Sequence, residues 1–248
     1  MFQIDSYRET RKMVIDMIKA TCKWETTEGF IADGLTCPES YQKSDFKIAV
    51  LLGESYGYDE CKVTDIEDKP SEILGLKDVR RKTSRKIPAL VSSVLAAFEK
   101  KELLIRLPRV FAGNSENLKC LEEALKKIAW INVKKVSHHS PRKGQGVRQS
   151  YSDIYKHAQL NKEILKLQLQ SIDPDLMIVC SAPVFNSLFD MNLLGENIQR
   201  GKKYKLQKNK SGKFVIEVAH PSYYRDWSYG GLYRIYHEIV TGVRPELG

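Results

Sequence analysis

The sequence predicts an α/β sandwich, on three observations. Four short runs of apolar and β-branched residues, KIAVLLG (47–53), IAWINV (128–133), LMIVCS (176–181) and KFVIEVAH (213–220), each lead into turn residues. Their length and largely apolar character fit parallel strands buried on both faces. Amphipathic helical stretches lie between them, and that alternation layers helices on a sheet. With 42% hydrophobic residues, the 248-residue chain has enough apolar material for a sizeable core. It is expected to form a single domain over 1–248, a core of 45–240 preceded by a helical extension over 1–44.

Taken in order, the strand at 47–53 is followed by a helix from Pro88 to Lys101. A second amphipathic stretch places Leu118, Leu121, Leu125 and Ile128 on one face, with Asn114 or Ser115 available to cap it. The strand at 128–133 precedes a helix from Ile154 to Ile172. After the strand at 176–181, Ala182 to Phe189 continues helically. Residues 200–218 read differently, as a basic hairpin whose Asn-Lys-Ser-Gly tip at 209–212 turns the chain into the last strand.

Composition narrows the function. No apolar run approaches the roughly 20 residues that span a bilayer, and MFQIDSYRETRK carries charges where a signal peptide needs an apolar stretch. A cytoplasmic protein without a membrane partner is expected. The five cysteines are widely spaced and never form C-x-x-C, which argues against a disulfide framework and a zinc knuckle. Lys and Arg outnumber Asp and Glu by 40 to 31. The segments 80–86, 134–148 and 200–213 hold 17 positive charges and no acid, a pattern suited to nucleic acid or to three solvated loops.

Ligands of open parallel sheets bind beyond the carboxyl ends of the strands. The chemistry is therefore expected on Gly53 to Glu60, Asn132 to Gly146, Ser181 to Pro183 and His220 to Arg225.

Those segments carry a resemblance. Gly53-Glu54-Ser55-Tyr56-Gly57 is similar to the G-E-x-P-G loop of bacterial uracil-DNA glycosylases, with Asp59 and Glu60 where that family often has acids. Ile131-Asn132-Val133-Lys134-Lys135 looks like the family strand whose Asn reads the base edge. Asp173-Pro174-Asp175-Leu176 leads a unit like the family's third, and Val218-Ala219-His220-Pro221-Ser222-Tyr223-Tyr224-Arg225 resembles its H-P-S segment. Over about 45–240, order and spacing together resemble the uracil-DNA glycosylase superfamily. The whole chain also resembles bacterial glycosylase-like proteins, some implicated in phage defence by removing modified cytosines. The resemblance implies a three-layer α/β/α sandwich with a central four-stranded, mostly parallel sheet.

The departures carry information too. Tyr56 stands where the family loop usually has Pro, and Ser55 where several branches have the Asp or Asn that orients water. Branches with an iron–sulfur cluster place a Cys just after the recognition Asn, where this chain has Lys134-Lys135-Val136. No cluster, metal or organic cofactor is implied.

A glycosylase must flip its target base into a pocket and read the exposed edge. The resemblance gives Asn132 that reading role, since its amide both donates and accepts; the bland alternative is an Asn that ties two loops together. Gly53, Tyr56 and Gly57 would line the pocket, and the absent side chain of Gly57 leaves room around C5 of the base. Glycosidic cleavage puts negative charge on the leaving base, for which a neutral His220 is the implied donor. Glu54 would orient water or balance the sugar cation, with Asp59 or Glu60 behind it and Ser55 in the catalytic loop. Ser222, Arg225, Lys134, Lys135, Arg142 and Lys143 would meet phosphates, and Tyr223 and Tyr224 would wedge into the stack. His138 and His139 read as a solvated loop.

The expected function is a monofunctional DNA glycosylase that hydrolyses the N-glycosidic bond of a modified pyrimidine. Its partner would be DNA, and a monomer is favoured. The alternatives are a catalytically silent DNA-binding relative and an unrelated α/β hydrolase or nucleotide-binding enzyme. The chain has no G-x-S-x-G, G-x-x-x-x-G-K-[ST] or G-x-G-x-x-G to support the last.

Overall fold

The computed structural model describes residues 2–21, 30–53, 63–67, 82–104, 115–135, 151–221 and 228–248. In chain order these form α1 (Ile4–Thr21), β1 (Phe30–Ala32), β2 (Gly34–Leu35), α2 (Pro38–Gln42), β3 (Ile48–Leu52) and β4 (Val63–Asp65). Then follow α3 (Lys82–Lys100), α4 (Ser115–Lys126), β5 (Ile128–Asn132), α5 (Tyr151–Leu160) and α6 (Lys162–Ile172). The last elements are β6 (Leu176–Cys180), α7 (Ala182–Asp190), β7 (Leu206–Lys208), β8 (Phe214–Val218), α8 (Tyr229–Val243) and a closing 3₁₀ turn, Pro245–Leu247.

The chain is α/β, with a mixed sheet of six strands ordered β2-β5-β3-β6-β8-β7 and not the expected four. The four strands read from the sequence lie in its interior and run parallel to one another. The extra two, β2 and β7, are short antiparallel strands at the edges. A separate parallel pair joins β1 to β4.

Strand alternation divides the core. Ile48, Val50, Leu52, Ile128, Trp130, Ile178 and Ile216 face one side, packed with α3, α4 and α8. Ala49, Leu51, Ala129, Ile131, Val179 and Val215 face the other, packed with α5, α6 and α7. Helices thus cover both faces, which is why the inner strands, Asn132 of β5 and Glu217 of β8 apart, are apolar and do not alternate with polar residues. α1 joins the second side by packing on α6 through Val14, Ile18 and Ile164. Among the described residues no helix is long and apolar enough to cross a membrane.

Two helix expectations are corrected. α3 begins at Lys82, not at Pro88, so the basic run at 80–86 is partly helical. Arg85, Lys86 and Ile87 are buried there, and tertiary packing outweighs the missing N–H of an interior proline. The helix expected over 154–172 is broken at Asn161, which separates α5 from α6. The Asn161 amide donates to Val133 O at 3.1 Å and so anchors the loop after β5. α6 ends where Asp173 adopts a left-handed conformation just before Pro174, a common helix stop.

Candidate functional site

The carboxyl ends of β5, β3, β6 and β8 lie side by side at one end of the sheet. β3 connects to β5 on one side, whereas β6 connects to β8 on the other, so the chain reverses direction between β3 and β6. A crevice opens at such a reversal. Gly53 and Ser181 bound it.

The β3–β5 pairing continues past the strands: Val133 N donates to Leu52 O and Lys134 N to Gly53 O, each at 2.8 Å. Gly53 is therefore fixed beside the segment that carries Asn132. By alternation Asn132 faces the same side as Trp130, towards α3 and α4. It is only 3% exposed, and its main chain is held by Asn132 N donating to Asp33 Oδ2 at 2.5 Å.

Asp33 belongs to a closed buried network. Lys135 Nζ donates to Asp33 Oδ1 at 2.9 Å, to Asp33 Oδ2 at 3.1 Å and to Gln168 Oε1 at 2.7 Å. Gln168 Nε2 completes the ring by donating to Asp33 Oδ1 at 2.9 Å. Burial pulls the Lys135 ammonium below the usual lysine range, and the Asp33 carboxylate opposes that shift. The phosphate contacts expected of Lys134 and Lys135 are thus corrected. The two are 1% and 3% exposed, and Lys135 is turned inward onto Asp33.

At the end of β6, Ser181 N donates to Val218 O at 2.8 Å, and Ser181 O accepts from Phe185 N to start α7. Ser181 has φ 114° and ψ 148°, a region that side chains strongly disfavour. Its hydroxyl is buried without a hydrogen-bond partner. At the end of β8, His220 is half-buried and Pro221 buried. Lys86, buried in α3, donates from Nζ to Pro221 O at 2.7 Å.

Of the sequence-predicted site residues, the structure brings Gly53, Asn132 and His220 to one end of the sheet, with Gly53 and Asn132 on adjacent strands. β5 and β8 are three strand spacings apart, about 14 Å between backbones. Glu54, Ser55, Tyr56, Gly57, Asp59, Glu60, Arg142, Lys143, Ser222, Tyr223, Tyr224 and Arg225, with His138 and His139, lie outside the described residues.

Sequence reasoning missed Asp33, Lys86 and Gln168. The one signal was a lone acid inside the apolar run FIADGL, which asks for a buried cation as partner. Glu217 on β8 is also buried, and desolvation pushes its carboxyl up, partly offset by Lys203.

The basic hairpin is less free than its sequence implies. Arg200 pairs with Asp190, Lys205 with Glu238, Lys210 with Glu196, and Lys213 with Asp173 and Asp175. Because β7 runs antiparallel to β8, Lys208 and the tip at 209–212 lie at the amino end of the parallel strands, away from the crevice. No family model matches the chain, and no curated protein matches it at a significant level.

Proposed function

We propose that this chain is a monofunctional DNA glycosylase of the uracil-DNA glycosylase superfamily that flips a modified pyrimidine from DNA and hydrolyses its N-glycosidic bond. One observation carries the reading: Asn132 is buried at the mouth of the sheet on the strand beside the one that leads into Gly53, while its main chain, through Asp33, and Asn161 hold the chain there. An amide in that place can both donate to and accept from a base edge.

In this reading Asn132 reads the base edge and His220, from the far strand, stabilises the departing base anion. Glu54, with Asp59 or Glu60, serves the water and the sugar cation. Arg142, Lys143, Ser222 and Arg225 hold phosphates, and Tyr223 and Tyr224 fill the stack. The enzyme acts as a monomer in the cytoplasm, and a 5-substituted cytosine of phage DNA is the favoured substrate, since Gly57 leaves space at C5.

Ser55, standing where a water-orienting acid or amide usually sits, favours a second reading, a silent DNA-binding relative. Oligonucleotides carrying uracil, thymine, 5-hydroxymethylcytosine or glucosylated cytosine separate the two. Alkali-labile abasic sites in any of them support the glycosylase, whereas binding with no abasic product in all of them supports the silent relative.

A further inference from the structure

The buried lysine of α3 does a task that neither the basic composition nor the proposed base chemistry assigns. Lys86 lies within a helix otherwise packed through Ile87, Leu90, Val91 and Val94, and it is 3% exposed. Burying an ammonium is costly unless strong acceptors replace its water. Its Nζ donates to Pro221 O at 2.7 Å, a short charge-assisted bond. Pro221 follows His220 directly and is itself buried. β8 ends at Val218, where Ser181 N closes the ladder, and the chain then leaves the sheet through Ala219, His220 and Pro221.

From this geometry we infer that Lys86 is a positioning residue, one that clamps the His220-Pro221 turn to α3 and thereby sets where the imidazole stands. The inference rests on the glycosylase reading only for what His220 does. The clamp itself is a statement about the turn. Proline lacks an N–H, so the carbonyl is the main-chain polar group by which residue 221 itself can be held. A lysine tethered to a helix on the Asn132 side of the sheet grips it from the same side that the base edge would occupy. A group misplaced by about 1 Å can lose roughly a hundredfold in rate although every reacting group is present.

The test uses the full chain with Lys86→Met, Lys86→Arg and the parent. Ring resonances of the five histidines are recorded, His220 being assigned through His220→Gln. The clamp predicts that His220 alone is strongly displaced in Lys86→Met and returns close to its parental position in Lys86→Arg, with cooperative melting kept. On whichever oligonucleotide the parent cleaves, single-turnover release by Lys86→Met should fall about a hundredfold with unchanged DNA affinity, and Lys86→Arg should recover most of it.

Coincident His220 resonances in Lys86→Met and the parent overturn the proposal, as does a loss of DNA affinity equal to the loss in rate. If Lys86→Met does not fold, Lys86→Leu, which likewise lacks a donor, carries the same comparison. A parent that releases no base defeats the glycosylase reading and leaves the resonance comparison to decide the clamp.

Discussion

Lys135 and Asp33 form an ion pair 2.9 Å apart with both side chains almost wholly out of water. The same carboxylate receives the Asn132 N–H, so the pair links the N-terminal strand region to the mouth of β5. Removing one partner of a buried pair leaves the other charged and uncompensated. Lys135→Met should therefore cost about 3–5 kcal/mol in urea unfolding, and under the proposed function the folded fraction should bind DNA as the parent does. A variant of parental stability that binds DNA weakly would restore the phosphate role the sequence had implied.

Ser181 holds a conformation in which glycine is at ease. Ser181→Gly should stabilise the fold by about 1–3 kcal/mol through relief of backbone strain. Ser181→Ala keeps the strain and serves as the control. A melting temperature for Ser181→Gly at or below that of Ser181→Ala would mean the strained geometry is not what limits stability there.

Glu217 predicts a pH dependence. A carboxyl whose folded pKa lies above its unfolded value binds more protons when folded, so its contribution is full below the ordinary value near 4.5 and is lost as pH rises through the raised one. Glu217→Gln should thus be more stable than the parent at neutral pH, with the difference vanishing in acid. Chemical unfolding across that range checks the sign, and an advantage that grows in acid refutes it.

Under the proposed function, His220→Ala should lose about 2.7–4 kcal/mol of transition-state stabilisation, the usual effect of deleting one donor to a developing anion. DNA binding should survive. Asn132→Asp should instead change which base is accepted, because a carboxylate lacks the donor half of an amide. Single-turnover release and filter binding on both variants test these roles, and full excision by His220→Ala removes the proposed one.

Binding should weaken steeply with salt if several phosphates are contacted, yet the hairpin tip should not contribute. Lys208→Gln with Lys210→Gln is expected to leave both affinity and salt slope unchanged, since these residues sit at the far end of the strands and Lys210 is paired to Glu196. A shallower slope in the double variant would place DNA on the opposite end of the sheet.

The inner strands were legible because burial on both faces writes itself as short continuous apolar runs, and the hairpin because Asn209 and Gly212 mark its turn. The edge strand β2 was not, since Gly34-Leu35 is too short to show any period. Asn132 and His220 were legible through the order of segments after the strands. The roles of Lys135 and Lys86 were not, because a lysine's sequence neighbours do not reveal that an acid 102 positions away, or a carbonyl 135 away, will meet it inside. Charge runs record composition, whereas the pairing of hairpin cations with Asp190, Glu196 and Glu238 is decided by topology.

The two edge strands have a colloidal consequence. Parallel strands this apolar would, if left at a border, offer a long row of unpaired N–H and C=O groups on which another chain could template itself. The border strands here are β2, two residues long, and β7, three residues long with Lys208 exposed at its end. Each covers an inner strand and then stops, so among the described residues the sheet offers another copy little edge to extend.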